Sequence, residues 1–271
     1  MKVQGKVIVV TGAGNGMGRD VTLQLLQAGA TVAAVDLNED MLKETEKLAG
    51  GASKNLSLHI VNIADLAAVQ ELPKAVIAKH GHVDGLMNIA GIIHKFKKVN
   101  DLSYEDFHRI FNVNFFGTVQ MVKEFLPHLL KRPEAQILNI SSMGSYVPVP
   151  GQTIYGASKA AIKLFTEGLR MELLGTNVGV SLVFPGAVAT NISTNSKAVT
   201  EAEAKAMAGA AGKFKMTTSP VAAAKIIDGF ENNVYHGFAG SDAQMMDRIS
   251  RVAPEGAAKI IHKQMASLLP E

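Results

Sequence analysis

Short runs of apolar, largely β-branched residues recur along the chain, separated by longer segments in which the apolar positions have helical spacing. Runs this continuous are typical of strands buried on both faces of a parallel sheet. The predicted strands are 6–11, 31–36, 56–61, 83–90, 137–141 and 178–184, with a weaker one near Phe238. The predicted helices are 17–27, 40–48, 65–79, 104–130 and 153–174. The alternation predicts an α/β fold, a doubly wound parallel sheet of about seven strands with helices on both faces.

No Pro- or Gly-rich linker and no internal repeat divides the chain, so residues 1–271 are predicted to form a single domain. Residues 191–215, rich in Ala, Ser, Thr and Lys, interrupt the pattern. They are either a mobile substrate lid or a poorly packed surface excursion. Residues 242–271 carry apolar positions at helical spacing and predict an amphipathic helical extension. Packing of this extension on the body or on a second subunit is favoured, with association at a membrane surface as the alternative.

Composition narrows the possible partners. Apolar residues make up 47% and charged residues 19% of the chain, as in a compact soluble protein. The net charge is only +3 without a long Lys/Arg block, so nucleic acid is not expected as a partner. The absence of cysteine excludes disulfides, thiol nucleophiles and zinc–thiolate centres, and no metal site is predicted. The N-terminal apolar run is too short to span a membrane and lacks a signal-peptide cleavage site, which suits a cytoplasmic location.

A glycine-rich turn at residues 11–18 follows the first predicted strand and opens a helix. Gly12, Gly16 and Gly18 give the spacing G-x-x-x-G-x-G. A helix N-terminus offers free N–H groups and a partial positive charge, which suit a pyrophosphate. Glycine is required there because side chains would block the approach of the ligand to the backbone. The turn therefore predicts a dinucleotide site.

Asp36 ends the second predicted strand, where a carboxylate can accept hydrogen bonds from both adenosine ribose hydroxyls. The same carboxylate would repel the 2′-phosphate of NADP. Leu37 and Asn15 offer no cation for that phosphate, and Arg19 is expected to face outward from the first helix. The sequence thus predicts NAD(H) in preference to NADP(H). In the alternative interpretation, Asp36 only caps the turn before Asn38.

Tyr155 and Lys159 lie four residues apart at the start of a predicted helix and therefore share one helix face. Ser142 follows the fifth predicted strand, at the sheet edge where open α/β folds carry their chemistry. Taken singly, each candidate has a structural interpretation: Ser142 as a polar strand end, Lys159 on a solvated face, and Asn114 as a helix residue bonded to backbone. Their joint spacing favours catalysis, with Tyr155 as the group that exchanges a proton.

Together these motifs resemble the short-chain dehydrogenase/reductase family over residues 4–190. They are, in order, TGxxxGxG at 11–18, NIAG at 88–91, Asn114 within NVNFFG, Ser142, Tyr155-x-x-x-Lys159 and Pro185-Gly186-x-Val188-x-Thr190. Two departures are small: Ile89 replaces the second Asn of the usual NNAG, and Asn62 stands where the family often has Asp beside the adenine ring. The resemblance implies a Rossmann-like fold and an oxidoreductase that transfers a hydride between NAD(H) and a carbonyl or secondary alcohol.

The resemblance also implies roles for the predicted catalytic residues, which are Asn114, Ser142, Tyr155 and Lys159. Tyr155 would exchange a proton with the substrate oxygen, its pKa lowered by the Lys159 ammonium and the positive nicotinamide ring. Ser142 would hydrogen-bond the same oxygen. Lys159 would also hold the nicotinamide ribose, and Asn114 would secure the water that links Lys159 to solvent.

The predicted cofactor site is larger, with Thr190 and the backbone of Val188 orienting the nicotinamide carboxamide. The full set is Gly12, Asn15, Gly16, Met17, Gly18, Asp36, Leu37, Asn62, Ile63, Asn88, Ala90, Gly91, Tyr155, Lys159, Pro185, Gly186, Val188 and Thr190. The predicted substrate contacts are His94, Ser142, Met143, Gln152 and Tyr155, with Tyr146 and Asn191 beside them. An ordinary loop histidine is the favoured alternative for His94. The mostly apolar set predicts a neutral, hydrophobic small-molecule substrate.

The family resemblance implies a homodimer or homotetramer joined through the long helices at 104–130 and 153–174. An alternative function is a catalytically silent dinucleotide-binding regulator or scaffold of the same fold, which the intact catalytic set disfavours. An epimerase or dehydratase is disfavoured because such enzymes usually carry a larger C-terminal substrate domain.

Overall fold

The predicted apolar runs become the strands of one parallel sheet in a computed structural model, which describes residues 1–196, 198 and 216–265. The strands are β1 (Val7–Thr11), β2 (Thr31–Asp36), β3 (Leu56–Ile60), β4 (Gly85–Asn88), β5 (Ala135–Ile140), β6 (Val178–Pro185), the short pair β7 (Val188–Ala189) and β8 (Thr217–Thr218), and β9 (His236–Ala239). The main sheet has the order β3-β2-β1-β4-β5-β6-β9, and β7 pairs with β8 separately. The strand order reverses direction between β1 and β4, which confirms the doubly wound sheet.

Helices cover both faces of this sheet. They are α1 (Gly16–Gln27), α2 (Glu39–Leu48), α3 (Leu66–His80), α4 (Tyr104–Phe111), α5 (Thr118–Leu129), α6 (Thr153–Glu172), α7 (Ile192–Asn195), α8 (Ser219–Glu231), α9 (Ser241–Val252) and α10 (Pro254–Met265). Successive residues of β1 enter opposite cores, because side chains alternate along a strand. Ile8 and Val10 pack with α1, α2 and α8, whereas Val9 packs with α3, α5 and α6.

The helix predicted at 104–130 has the expected extent but contains a π-helical segment, Asn112–Gly117, between α4 and α5. Ser103 caps its N-terminus, with its hydroxyl oxygen accepting from the Asp106 N–H at 3.1 Å. The last residue of the π-helical segment is Gly117, which leaves room for Ile63, because the Ile63 Cγ1 would lie 2.8 Å from an added Cβ. π-Helical turns occur often at functional sites, and this one contains Asn114.

Helix α8 was not predicted from the sequence, although it carries a start signal in Ser219-Pro220. Its buried face includes Ala222, Ala223 and Ile226 and ends at Phe230, which fills the space above Gly85. Because Ala222, Ala223 and Gly229 on this face are small, the contrast between apolar and polar positions along the helix is weak, and the helix was not recognised from the pattern. The short β7–β8 pair was also missed, since two-residue strands have no periodicity.

The C-terminal extension forms the expected pair of helices, α9 and α10. Met246, Ala257 and Ile261 pack on Val147 and its neighbours Met143 and Val149, so the extension covers the loop after β5. These contacts agree with the prediction that the C-terminal extension packs on the body of the domain. None of the helices in the described ranges is both long and apolar enough to cross a membrane. Of the predicted lid, α7 is described, whereas residues 197 and 199–215 lie outside the described part.

Candidate active site

The loops that carry the sequence motifs follow the carboxyl ends of four adjacent strands, β1, β4, β5 and β6. Close approaches bring these loops together. An added Cβ at Gly12 would lie 2.9 Å from the Cα of Ala90, and one at Gly16 would lie 3.5 Å from the Cβ of Thr190. The glycine-rich turn therefore contacts both the NIAG turn and the loop after β6. These contacts place the predicted cofactor motifs at one edge of the sheet.

Ser142 and Tyr155 lie close together at this edge, since an added Cβ at Gly144 would lie 3.5 Å from Ser142 Oγ and 3.8 Å from Tyr155 Cε1. The Ser142 Oγ accepts from the Gly144 N–H at 3.1 Å, which leaves its own hydroxyl hydrogen for another acceptor. Burial raises the pKa of Tyr155, while the nearby Ser142 hydroxyl acts in the opposite direction. The residues of the chain thus raise this pKa overall, and its lowering by the Lys159 ammonium together with a bound nicotinamide ring stays a prediction.

Lys159 is buried, with 3% of its surface exposed. Its Nζ donates to the backbone oxygen of Ile140 at 3.1 Å. Burial lowers the pKa of Lys159 to about 8 because the charged form loses hydration. An added Cβ at Gly91 would lie 3.2 Å from this Nζ, so the glycine leaves space for the amine. The interpretation of Lys159 as a residue on a solvated face is wrong.

Asn114 connects the segment after β4 to the catalytic helix α6. Its Oδ1 accepts from the Ile92 N–H at 2.8 Å, and its Nδ2 donates to the Ile92 oxygen at 2.9 Å and to Ser158 Oγ at 3.0 Å. The two bonds to the Ile92 backbone agree with the alternative interpretation of Asn114 as a helix residue bonded to backbone. Asn114 Oδ1 and Lys159 Nζ would lie 3.4 and 3.2 Å from an added Cβ at Gly91, so both side chains border this glycine. The role of Asn114 toward water stays a prediction.

The glycine-rich turn fits a pyrophosphate. Gly12 has φ +71° and Gly16 has φ +53°, a region that side chains disfavour. An added Cβ at Gly18 would overlap the backbone oxygen of Gly12. Asn15, the N-cap of α1, makes no side-chain capping bond within the described residues. The first N–H groups of α1 therefore stay available to an anion.

Asp36 supports the turn and the chain that follows β2. Its Oδ2 accepts from the Gly14 N–H at 2.9 Å and its Oδ1 from the Asn38 N–H at 3.0 Å. Both interpretations of this residue are therefore compatible with its position, since each carboxylate oxygen can accept more than one hydrogen bond. Leu37 is 66% exposed beside it.

Arg19 does not face outward, contrary to the expectation from the sequence. Its guanidinium donates to the backbone oxygen of Gly14 and to Thr45 Oγ1, with the latter at 3.1 Å from Nε. Met41 supplies a third acceptor at 3.3 Å. Thr45 and Met41 belong to α2, which lies beside the turn. The spacing of apolar residues in α1 could not predict these contacts, because they depend on where α2 packs.

The other predicted cofactor residues are distributed around the same edge. Asn62 is exposed and its Oδ1 accepts from the Ala64 N–H, whereas Met17 is packed against the core. Asn88 donates to Asn139 Oδ1 at 2.9 Å. Thr11 begins the glycine motif but was not among the predicted site residues. Its Oγ1 accepts from the N–H groups of Ile89 and Ala90 at 3.0 and 3.1 Å and so joins β1 to the NIAG turn.

The predicted substrate residues form two groups. His94 lies in the loop after β4 and is buried, and burial lowers its pKa. Its backbone oxygen accepts from Gln152 Nε2 at 2.7 Å. Met143 and Tyr146 instead face the C-terminal helices, where the Tyr146 hydroxyl donates to the Ala243 oxygen at 2.7 Å. Asn191 is exposed.

The loop after β6 is fixed by hydrogen bonds to residues that were not among the predicted site residues. The Gly186 N–H donates to the Ala239 oxygen at 3.2 Å, and the Ala187 oxygen accepts from the Thr217 N–H at 2.8 Å. The Ala187 N–H donates to Asp242 Oδ2 at 2.7 Å. No motif marks Asp242, because it lies far along the chain from this loop.

Comparison with known proteins agrees with this geometry. A family model described as short chain dehydrogenase matches residues 6–201. An oxidoreductase designated SadH from Mycobacterium tuberculosis is 32% identical over 270 residues, which cover 98% of each chain. A short-chain dehydrogenase/reductase from Burkholderia phymatum in complex with NAD has a TM-score of 0.85 and 26% identity, covering 94% of this chain and 96% of its own. Serine dehydrogenase complexed with NADP⁺ has a TM-score of 0.74 and 28% identity, covering 80% and 86%.

The matched region contains every motif from the glycine-rich turn to the loop after β6. The neighbouring structures include complexes with both NAD and NADP⁺. The chain therefore belongs to the short-chain dehydrogenase/reductase family and is a dinucleotide-dependent oxidoreductase.

Proposed function

We propose that the protein interconverts a secondary alcohol and a carbonyl compound, prefers NAD(H), and uses Tyr155 as the catalytic acid and base. The observation that carries this proposal is the cluster of Ser142, Tyr155 and buried Lys159, at the sheet edge that also holds the glycine-rich turn. A regulatory or scaffold protein would not need these buried polar groups, whose desolvation has a cost in stability.

The cofactor, when bound, accepts or donates the hydride at the substrate carbon. In oxidation, Tyr155 takes the proton of the substrate hydroxyl, and in reduction it returns a proton to the carbonyl oxygen. Ser142 donates a hydrogen bond to that oxygen where negative charge develops. Lys159 holds the nicotinamide ribose, and Asn114 fixes the chain after β4 against α6 and orders water near the Lys159 amine.

The raised pKa of Tyr155 has a consequence for direction. A tyrosine whose pKa lies above its ordinary value is protonated at neutral pH and is ready to act as an acid. Oxidation needs the deprotonated form. Carbonyl reduction is therefore expected to proceed near neutrality, while alcohol oxidation increases with pH.

The preference for NAD(H) is supported by the acidic end of β2. Asp36 presents a carboxylate next to the turn, and the neighbouring Leu37 is apolar. Arg19 is near the turn, and its Nε and Nη2 donate to three acceptors of the chain, two of them on α2. A 2′-phosphate at this position would meet the Asp36 carboxylate, and neither Leu37 nor Asn15 offers a cation to offset that repulsion.

Titration of the nucleotide-free protein with NADH and with NADPH under identical conditions tests the proposal. Tighter binding of NADH is expected, and Asp36→Asn should reduce the difference because it removes the charge that repels the phosphate. Asp40→Asn removes the same charge from an exposed position four residues away and should leave the difference unchanged. Tighter binding of NADPH by the wild type would contradict the preference, and binding of neither would contradict the proposed function.

The apolar surroundings of the site support a neutral, hydrophobic substrate. Met143, Tyr146, Val147 and Val149 follow Ser142 and pack beneath the C-terminal helices. Exposed apolar side chains on the long helices support a homodimer or homotetramer, since such residues are often covered by a second subunit. They are Phe116, Leu164 and Met171.

A further inference from the structure

We propose that Asp242 is a positioning residue for the nicotinamide half of the cofactor, acting through the loop at residues 185–190. Its role rests on the proposed function, in which Val188 and Thr190 contact the nicotinamide carboxamide. Asp242 lies in the first turn of α9, more than fifty positions beyond this loop in sequence. The fold nevertheless brings its carboxylate directly against the loop.

The carboxylate of Asp242 lies in a slot that two glycines leave open. An added Cβ at Gly186 would overlap the carboxylate, and so would one at Gly240. Gly240 has φ +136°, a conformation that side chains rarely adopt. Between the two glycines, Oδ2 accepts from the Ala187 N–H at 2.7 Å. A side chain at either glycine would displace the acid, so the three residues form one fitted unit.

Hydrogen bonds on both sides of Ala187 set the path of the loop. Its N–H is bound by Asp242, and its oxygen accepts from the Thr217 N–H at 2.8 Å. The next residue, Val188, pairs with Thr217 in the β7–β8 sheet. Further along the loop, Thr190 lies against Gly16 of the glycine-rich turn. Asp242 is thus the side-chain contact that fixes the loop before it reaches the predicted carboxamide contacts.

The charge of Asp242 suits this position. A carboxylate in the first turn of a helix is stabilised by the helix dipole, and Asp242 lies in the first turn of α9. An ionised acceptor also forms a stronger hydrogen bond to a backbone N–H than a neutral one. Replacing the acid with asparagine keeps the size of the side chain but weakens the contact with the loop.

The geometry distinguishes positioning from general stabilisation. The adenosine end of the predicted site is formed by the glycine-rich turn, α1 and Asp36, and the Asp242 contacts described above do not include these elements. Loss of Asp242 should therefore act on the nicotinamide end far more than on the adenosine end, which the loop meets only where Thr190 lies against Gly16 among the contacts described above. A merely structural role would weaken the fold and both ends of the site together.

The test compares NADH with ADP-ribose, which lacks the nicotinamide ring, by calorimetric titration of full-length wild type, Asp242→Asn and Asp242→Ala. Asp242→Ala should bind NADH about tenfold more weakly, as expected for loss of a hydrogen bond to a charged acceptor. Asp242→Asn should show a smaller loss, and ADP-ribose should bind all three proteins equally. Asp247→Asn is the matched control, because it removes an acid from the same helix that pairs with Arg251 at 2.9 Å.

Unchanged NADH affinity in both Asp242 variants, with wild type binding NADH normally, would overturn the role of Asp242 and leave the proposed function intact. Equal weakening of NADH and ADP-ribose would assign Asp242 a structural role only, and so would a fall in melting temperature well beyond that of Asp247→Asn. Failure of the wild type to bind NADH would instead overturn the proposed function.

Discussion

At Tyr155, burial and hydrogen bonding act on the hydroxyl in opposite directions. Burial raises its pKa, and the nearby Ser142 hydroxyl partly offsets this rise. Lys159 is also buried, with its pKa lowered to about 8, so the amine loses its charge more readily than an exposed lysine. The proton needed for reduction is thus held on Tyr155 at neutral pH.

Replacing Tyr155 with phenylalanine tests its role as acid and base. The variant should lose at least about a hundredfold in kcat, because proton transfer by a positioned group contributes this much. NADH affinity should be retained, since the glycine-rich turn is untouched. Steady-state kinetics and nucleotide titration measure the two effects.

Tyr104→Phe is the matched control for this change, because its hydroxyl is on a side chain that is 80% exposed. It should turn over like the wild type. A Tyr155→Phe enzyme that kept more than a few per cent of wild-type kcat would rule out Tyr155 as the proton donor.

Residue identity and spacing predicted the Tyr155, Lys159 and Ser142 group, because four-residue spacing on a helix and the end of a strand are local properties. The surroundings of Arg19 and the link from Asp242 to Ala187 were not predictable. They depend on the positions of α2 and α9, which long-range packing decides.

Among the elements, the alternation of strand and helix was predictable because both faces of a parallel sheet are apolar. Helix α8 was missed because its buried face is built from small residues. The π segment was not predictable, since it depends on the fit of Gly117 to Ile63 and of Asn114 to Ile92.

Two glycines within helices should respond to alanine in opposite ways. In α1, an added Cβ at Gly18 would overlap the Gly12 oxygen, so Gly18→Ala should destabilise the protein by at least about 2 kcal/mol and weaken NADH binding. In α6, an added Cβ at exposed Gly168 meets nothing within 4 Å. Gly168→Ala should stabilise by about 0.5–1 kcal/mol, because alanine has the higher helix propensity. Urea denaturation measures both changes, and equal effects would contradict the steric role of Gly18.

Over the whole molecule, the edge strand β3 is joined to the end of α3 by a serine between two histidines. Ser57 Oγ lies 2.8 Å from His59 Nε2 and 2.7 Å from His80 Nε2. Burial and, to a smaller extent, the neighbouring His80 together lower the pKa of His59 to about 4. The pKa of His80 is lowered by burial and by Lys79 and His82. Both imidazoles are therefore neutral in the folded protein at pH 7.

This arrangement predicts a loss of stability in acid. Since the folded pKa of His59 lies below its ordinary value of 6.5, its contribution is complete above pH 6.5 and is lost as the pH falls toward 4. Between pH 7 and pH 4.5, wild type should lose about 1–2 kcal/mol more than His59→Gln, after allowance for partial solvent exposure. Urea denaturation at both pH values measures the difference. The exposed His108 provides the control variant His108→Gln, and an identical acid response of His59→Gln and wild type would exclude His59 as the cause.

The number of strands in the main sheet was predictable from the sequence, whereas their complete order was not. A doubly wound topology follows from the rhythm of the chain, but the place of β9 beside β6 depends on α8, which the pattern did not identify.

The late position of β9 and Asp242 in the chain has a consequence for synthesis. A nascent polypeptide that has just passed residue 190 already contains the glycine-rich turn, Ser142, Tyr155 and Lys159. Its loop after β6 has neither the edge strand nor the acid that hold it in the finished molecule. Translation therefore supplies last the parts that hold this loop and cover α1, because α8, β9 and Asp242 all follow residue 190, and the site is assembled only when the end of the chain has folded onto it.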